Sequence, residues 1–213
     1  MSVLMLATRD RHRAERWTEE LRAAGHAELL PAVHSSSAAR SLLARQQPVL
    51  LITEPQLQDG PATELVRLLQ LRPRDRRMLS LVVSPCADDP ALLDLLQAGA
   101  DSLVEQSETG GALVQAVRDT LAGGADILPW VAQRLLEHFG VSGREAGSRV
   151  EDLVNPLALS PEDRQLLRLL ALGSRVHELA PGLGLGPREL TARVRGIYHK
   201  MQWALRAGDL SLA

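Results

Sequence analysis

The stretch "PVLLITEPQLQDG", residues 48–60, carries the first group that could do chemistry. Its apolar run, 49–52, ends in Thr53 and Glu54, and the chain then breaks at Pro55. A buried strand that delivers a carboxylate to a loop places it where a nucleophile, a metal ligand or an ion-pair partner would act. The pattern therefore predicts a functional role for Glu54.

Other short apolar runs in the first half of the chain also end in polar residues. Parallel strands bring their carboxyl ends to one edge of a sheet, where functional groups gather. We therefore expect one polar cluster at this edge, formed by Thr8, Arg9, Asp10, Glu54, Ser84 and Gln106.

A second candidate site lies near the end of the chain. Acidic and basic residues are mixed evenly up to about residue 187, and the formal net charge is only −2. Between residues 188 and 206 cations predominate, and Glu189 is the only acidic residue. A basic helix in a near-neutral protein is a weak indication of nucleic-acid binding.

The elements that must position the first cluster alternate over the first 122 residues. Apolar runs predict strands at 3–7, 27–33, 49–53, 78–84 and 101–106. Amphipathic stretches predict helices at 13–25, 35–47, 61–73, 88–100 and 110–123. Because the connections are short, this alternation predicts an α/β domain in which a five-stranded parallel sheet is covered by helices on both faces.

The pattern changes after the paired glycines at 123–124. Residues 126–140 predict an amphipathic helix, and 141–156, rich in Gly, Ser and charged residues, predict a linker. Three helices follow, near 159–173, 175–182 and 187–201. A short helix, a Gly-containing turn and a basic helix form the outline of a helix-turn-helix.

Proline affects the shorter of these helices. Pro181 lies inside the predicted segment 175–182. Proline removes a backbone donor and costs about 3 kcal/mol in a helix interior. We therefore expect this helix to end one turn early, at Ala180.

Composition excludes several classes of protein. The single cysteine, Cys86, excludes an intramolecular disulfide framework and a multi-cysteine metal site. No run approaches the roughly 18–20 apolar residues that span a membrane, and the first residues are charged too early for a signal peptide. The histidines lack i,i+4 pairing, and no nucleophile–base pair or cofactor loop is present. We therefore expect a bacterial cytoplasmic protein without enzymatic activity, metal or cofactor.

Several of these segments resemble a NarL/FixJ-type response regulator, in which a receiver domain precedes a LuxR-type helix-turn-helix domain. "LSPEDRQLLRLLALG" is similar to the family's LTxREREVLxLLAxG, and "DILPWVAQRLLEHF" to its LSPxVAxRLL. In the receiver, "EPQLQDG" resembles DLxLPDG and "LLQAGADSLVEQSE" resembles LxAGADGYLLKSE. The resemblance implies a flavodoxin-like receiver at 1–123, a linker helix and linker at 124–156, and an all-α DNA-binding domain at 157–213.

The resemblance places Glu54 where a receiver keeps the aspartate that accepts a phosphoryl group. That reaction needs a carboxylate nucleophile, a Mg²⁺ held by an acidic pair, a lysine and a hydroxyl. Here the acidic pair aligns with Thr8 and Arg9, the lysine position holds Gln106, and only the Ser84 hydroxyl remains. We therefore predict a pseudo-receiver that is not phosphorylated by the ordinary route.

Two interpretations of Glu54 follow from this pocket. In one, its longer side chain reaches toward Ser84 or Arg9 and imitates a permanently switched state. In the other, Glu54 is a relic of the phosphorylation site and is held by the nearest hydrogen bond.

For the second site, the resemblance puts Thr191, Ala192 and Arg195 on the base-reading face of the basic helix. The residues expected at phosphates are Arg188, Arg193, His199 and Lys200. The expected partner is double-stranded DNA, bound by a homodimer that forms through receiver helices 1, 4 and 5. The alternative is a regulatory module that does not bind DNA but holds a partner protein or a small ligand in the degenerate pocket.

Overall fold

A computed structural model describes residues 2–25, 28–72, 77–107, 111–138 and 159–206, and the predicted linker at 141–156 lies outside them. The strands are β1 Leu4–Ala7, β2 Leu50–Thr53, β3 Gln56–Leu57, β4 Gly60–Pro61, β5 Leu79–Ser84 and β6 Ser102–Glu105. The helices are α1 Arg11–Ala23, α2 Ser36–Leu43, α3 Thr63–Gln70, α4 Ala91–Ala98, α5 Ala112–Leu121, α6 Pro129–His138, α7 Pro161–Ala171, α8 Val176–Leu183 and α9 Pro187–Arg206.

The main sheet has the order β1-β2-β5-β6, and all its strands are parallel. This confirms the predicted α/β class, but the described sheet has four strands and the prediction of five is wrong. The segment predicted as a strand at 27–33 makes only two isolated parallel bridges to β1, at Leu29 and Val33. The two bridges are four residues apart in this segment but only three residues apart in β1. The extra residue between them interrupts the ladder.

Each face of the sheet is covered by helices, as the buried and predominantly apolar strands require. On one face, Trp17 and Leu21 of α1 and Val117 of α5 pack on Leu6 and Ile52. Helices α3 and α4 lie over the opposite face, with Leu65 and Leu96 among the buried residues. The carboxyl ends of the strands therefore open at one edge, between the two helical layers.

The second hydrophobic cluster continues beyond the sheet. It joins α3 and α4 to α6, α7 and α9, and it includes Val131, Leu167, Val194 and Met201. Helix α6 packs on α7, and α9 packs on both α7 and α4. The C-terminal helices are thus docked on the α/β domain through a shared apolar core.

The short helix α8 does not end at Ala180, so that prediction is wrong. It runs through the exposed Pro181 to Leu183. Gly184, in the left-handed conformation at φ 66°, caps it. The Gly184 N–H donates to the carbonyl of Pro181, and the Leu185 N–H donates to that of Ala180. The cap retains the last turn because proline removes only one donor there and leaves its carbonyl available.

Candidate functional site

Glu54 is buried at the carboxyl end of β2, with 2% of its surface exposed. One carboxylate oxygen, Oε2, accepts hydrogen bonds from the Thr8 hydroxyl at 2.7 Å and from the Arg9 backbone N–H at 3.0 Å. The other oxygen, Oε1, forms an ion pair with the guanidinium of Arg13. Buried charges persist when they are paired and hydrogen-bonded, and Glu54 is both.

The cation beside Glu54 is therefore Arg13, which the sequence reasoning missed. The Arg9 side chain is exposed, and this residue contributes only its backbone N–H. The signal for Arg13 is helix capping: Asp10 caps α1, which places Arg13 in the first turn, next to the strand ends. The prediction that the Arg9 side chain pairs with Glu54 is therefore wrong, and Arg13 supplies the cation.

Asp10, the remaining acid of the predicted cluster, serves the backbone. Its Oδ1 accepts from the N–H of His12 at 2.9 Å and from that of Arg13 at 3.4 Å. Desolvation acts to raise the pKa of Asp10, but the hydrogen bonds from Arg13 and His12 outweigh it and lower that pKa. Among the described residues, no group of three His, Cys, Asp or Glu side chains is arranged to hold a metal ion.

Ser84 and Gln106 lie at the ends of the neighbouring strands but turn to other partners. The Ser84 hydroxyl donates to the carbonyl of Cys86 at 2.7 Å. The Gln106 backbone N–H donates to the carbonyl of Ser84, and its side-chain oxygen is buried without a partner among the described residues. Within the described contacts, neither residue hydrogen-bonds to Glu54. The predicted cluster is therefore not one site: Glu54 and Arg13 form an ion pair beside β1 and β2, and Ser84 and Gln106 have other contacts.

The predicted DNA-contacting residues of α9 fall into two environments. Arg188, Ala192 and His199 are exposed, whereas Thr191 and Arg195 are buried, at 7% and 6% exposure. The Thr191 carbonyl accepts from the Ala125 N–H at 2.9 Å. The backbone is so close there that a Cβ on Gly124 would lie 2.4 Å from the Thr191 hydroxyl oxygen.

Arg195 forms an ion pair with Asp101, a buried carboxylate just before β6. Its Nε donates to Nε2 of His199 at 3.0 Å, while its Nη1 is buried without a partner among the described residues. Arg77, from the loop before β5, also reaches Asp101, at 3.1 Å. Burial lowers the pKa of Arg195, and the charge of Asp101 acts against that shift.

We call this contact between α9 and the α/β domain the interdomain interface. The residues that form its ion pair, hydrogen bonds and close backbone contact are Asp101, Gly124, Ala125, Thr191, Arg195 and Gln202. It also contains the hydrogen bond from the Gln202 amide to the carbonyl of Ala100, at 2.8 Å. Asp101 was not among the predicted site residues. Its partner is 94 positions away in the chain, and no local pattern indicates such a pairing.

Arg193 and Lys200 contact a carboxylate of the neighbouring helix. Arg193 Nε lies 2.9 Å and Lys200 Nζ 2.7 Å from the carboxylate oxygens of Asp163 in α7. Desolvation acts to raise the pKa of Asp163, but the hydrogen bonds from Lys200 and Arg193 outweigh it and lower that pKa. These two cations therefore hold α9 on α7, and each keeps about a third of its side chain exposed.

No model of a known protein family matches the chain. It is 28% identical over 157 residues to the DNA-binding transcriptional activator DevR/DosR of Mycobacterium tuberculosis. This alignment covers 73% of this chain and 67% of that protein. It is 24% identical over 154 residues to the transcriptional regulatory protein FixJ of Azorhizobium caulinodans, with 72% and 65% covered. The chain thus spans about two thirds of the length of each relative.

The fold is similar to that of RcsB in a structure of two RcsB dimers bound to two parallel DNAs. The TM-score is 0.54 at 16% identity, with 99% of each chain covered. The α/β sheet followed by a helical C-terminal region is therefore shared over the whole length. No described helix is long and apolar enough to cross a lipid bilayer.

Proposed function

We propose, from the premise that this chain belongs to the NarL/FixJ-type response regulators, that it is a transcription factor of the bacterial cytoplasm that binds double-stranded DNA through α9. In this proposal residues 1–123 are a pseudo-receiver, 124–156 a linker helix and linker, and 157–213 the DNA-binding domain. The relatives are a DNA-binding transcriptional activator and a transcriptional regulatory protein.

The observation that carries the proposal is the exposed N-terminal part of α9. Arg188 and Ala192 face solvent there, and α8 precedes α9 across a turn capped by Gly184. A recognition helix presents such residues to the major groove, where arginine holds a phosphate or a guanine and an alanine methyl contacts thymine. Exposed cations on this helix would supply the sequence-independent part of the affinity.

Full contact with bases requires α9 to leave the interdomain interface. Thr191 and Arg195, the other base-reading candidates, are buried against the α/β domain. The structure described above therefore corresponds to a closed form, and DNA binding would select an open one. Regulation would act on this equilibrium.

We also propose that aspartyl phosphorylation does not control the equilibrium. The buried Glu54 already has its charge neutralised by Arg13, and Asp10 caps a helix. A guanidinium beside the acceptor position would repel Mg²⁺, and the pocket offers no lysine to a phosphoryl group. Glu54 and Arg13 would then hold the pocket permanently in one state.

The proposed assembly is a homodimer. RcsB, which shares the fold, is described as dimers on DNA. In the closed form α4 is covered by α9, so α1 and α5 are the receiver helices available for a two-fold contact. Opening would add α4 to the available surface.

Selection of sheared genomic DNA by the purified, untreated protein tests the proposal. We expect a two-fold-symmetric motif from the wild type, and its loss with Arg188→Ala, which removes an exposed cation without touching the interdomain interface. Arg40→Ala, an exposed arginine of α2, which lies outside both the proposed dimer surface and α9, is the matched control and should retain the motif. A protein that recovers no motif, either as wild type or with the interface opened, contradicts the proposal.

A second experiment tests the independence from phosphorylation. Incubation with acetyl phosphate and Mg²⁺ should leave the intact mass unchanged, because no acid pair is available to hold the metal. A mass increase of one phosphoryl group, lost in Glu54→Gln, would overturn this part of the proposal.

The burial of Thr191 and Arg195 favours one alternative, a module that regulates by binding a partner protein. In that case the closed form would be permanent and α9 would serve as a structural helix. Absence of specific DNA binding in variants shown to be open would support this second function.

A further inference from the structure

A cavity of about 360 Å³ lies where the α/β domain meets α9. Its walls come from both sides of the interdomain interface: Gln70, Arg72 and Arg77 from the α/β domain, and His199, Gln202 and Trp203 from α9. The cavity is separate from the Glu54 pocket, which is filled by the Arg13 side chain. Its volume lies within the range of small-molecule sites, roughly 300–1,000 Å³.

Among the described residues, cations outnumber carboxylates around this cavity. Asp101 is the carboxylate that pairs with Arg77, and it is shared with Arg195. The guanidinium of Arg72 donates to the carbonyl of Leu43 at 3.1 Å, and no carboxylate among the described residues pairs with it. Two guanidiniums therefore face one cavity whose described walls contain no acid. Arginine side chains are commonly used to bind phosphate groups.

The opposite wall carries an aromatic ring. Trp203 is 63% exposed, more than any other aromatic residue that the structure describes. An indole exposed beside two arginines offers a face on which a planar heterocycle can stack. Gln70 and Gln202 also line the cavity. Each amide already donates to a backbone carbonyl, that of Gly99 and that of Ala100 respectively.

We propose that this cavity binds a small nucleoside phosphate, with the phosphate on Arg72 and Arg77 and the base on Trp203. Because the two halves of the site lie on different sides of the interdomain interface, the complete site exists only in the closed form. The ligand binds the closed form more tightly than the open one and shifts the equilibrium toward it. This last consequence, inhibition of DNA binding, depends on the proposed function, whereas the binding itself does not.

Isothermal titration of the full-length protein with guanosine monophosphate, adenosine monophosphate and inorganic phosphate tests the site. We expect one nucleotide per chain, bound more tightly than inorganic phosphate. Arg72→Gln should raise the nucleotide Kd by about tenfold or more through the loss of charge-assisted hydrogen bonds. Trp203→Leu should raise it by about threefold to tenfold and leave phosphate binding unchanged.

Arg118→Gln is the matched control, since it removes one exposed arginine of the α/β domain far from the cavity walls; it should bind as the wild type does. Circular dichroism and thermal melting must show that each variant is folded. No heat with either nucleotide, or affinities unchanged in both Arg72→Gln and Trp203→Leu, overturns the proposal. Equal affinity for inorganic phosphate and nucleotide overturns the assignment of Trp203 and of a nucleoside ligand.

The titration and the DNA experiment fail independently. A protein that binds a nucleotide but recovers no DNA motif retains this site and loses the proposed function. A protein that binds DNA but no nucleotide retains the function and loses this site.

Discussion

Arg195 of α9 and Asp101 before β6 form a buried ion pair across the interdomain interface. The carboxylate is well satisfied, since its other oxygen accepts from the Ser80 N–H at 2.8 Å. The guanidinium is not, because its Nη1 is buried without a partner among the described residues. A buried unsatisfied donor costs about 1–3 kcal/mol. In the proposed equilibrium, the ion pair between Arg195 and Asp101 stabilises the closed form, whereas the unsatisfied donor of Arg195 destabilises it. The two effects oppose each other, so the proposed open form would be accessible.

Asp101→Asn should open the interface. The variant keeps an oxygen that can accept from Ser80 but loses the charge that pairs with Arg195 and Arg77. We expect the closed form to lose about 1.5–3 kcal/mol, which corresponds to roughly a tenfold to hundredfold gain in affinity for a recovered operator. Fluorescence anisotropy measures the affinity, and small-angle scattering measures the accompanying expansion. Glu64→Gln, an exposed acid on α3, is the control, and equal affinities for the two variants would contradict the prediction.

Gly124→Ala should open the same interface by steric means. Its Cβ would meet the Thr191 hydroxyl oxygen at 2.4 Å and the Thr191 Cβ at 2.7 Å, so α9 must move away. We expect a larger radius of gyration and a gain in DNA affinity in the same direction as for Asp101→Asn. Gly186→Ala, where an added Cβ meets nothing within 4 Å, should change neither quantity. A compact Gly124→Ala variant with wild-type affinity would show that the contact yields without opening.

Glu54→Gln should lower the free energy of unfolding by about 1–3 kcal/mol, because Arg13 loses its carboxylate in a site where only 18% of its side chain is exposed. Urea denaturation measures the change. Glu15→Gln on α1 removes an exposed carboxylate instead and should change stability by less than about 0.5 kcal/mol. If both variants unfold at the wild-type midpoint, the ion pair contributes nothing and Glu54 is a relic.

Asp163 predicts an acid-dependent loss of stability in the C-terminal helices. Its pKa is held below the ordinary value of 3.8, so the stabilisation is present above pH 3.8 and is lost as the pH falls below it. Asp163→Asn should lose about 1–3 kcal/mol at neutral pH and show a weaker decline on acidification. Denaturation of α7–α9 followed across this pH range measures both effects. Glu189→Gln, an exposed acid of α9, should keep the wild-type slope, and a decline in Asp163→Asn parallel to the wild type would contradict the assignment.

Local patterns were sufficient for the helices and for the four strands of the main sheet. Period and capping residues predicted α1, α7 and α9, because apolar spacing and a Ser160–Asp163 capping box act within a few residues. The strand expected at 27–33 failed because a hydrophobic run does not show where an extra residue will interrupt pairing with the neighbouring strand. The end of α8 failed because a cap three residues beyond Pro181 compensated for the missing donor.

The sequence by itself determined the α/β class and the family resemblance, since these depend on which residues are present. It also determined that the pocket around Glu54 has neither the acidic pair nor the lysine that phosphoryl transfer needs. Only the tertiary structure decided that Arg13 is the partner of Glu54 and that Asp101 holds Arg195. Each of these pairs joins groups distant in the chain, and their energy depends on distance, burial and the alternative partners within reach. Such quantities have no local signature, so the position of α9 against the α/β domain could be learned only from the folded molecule.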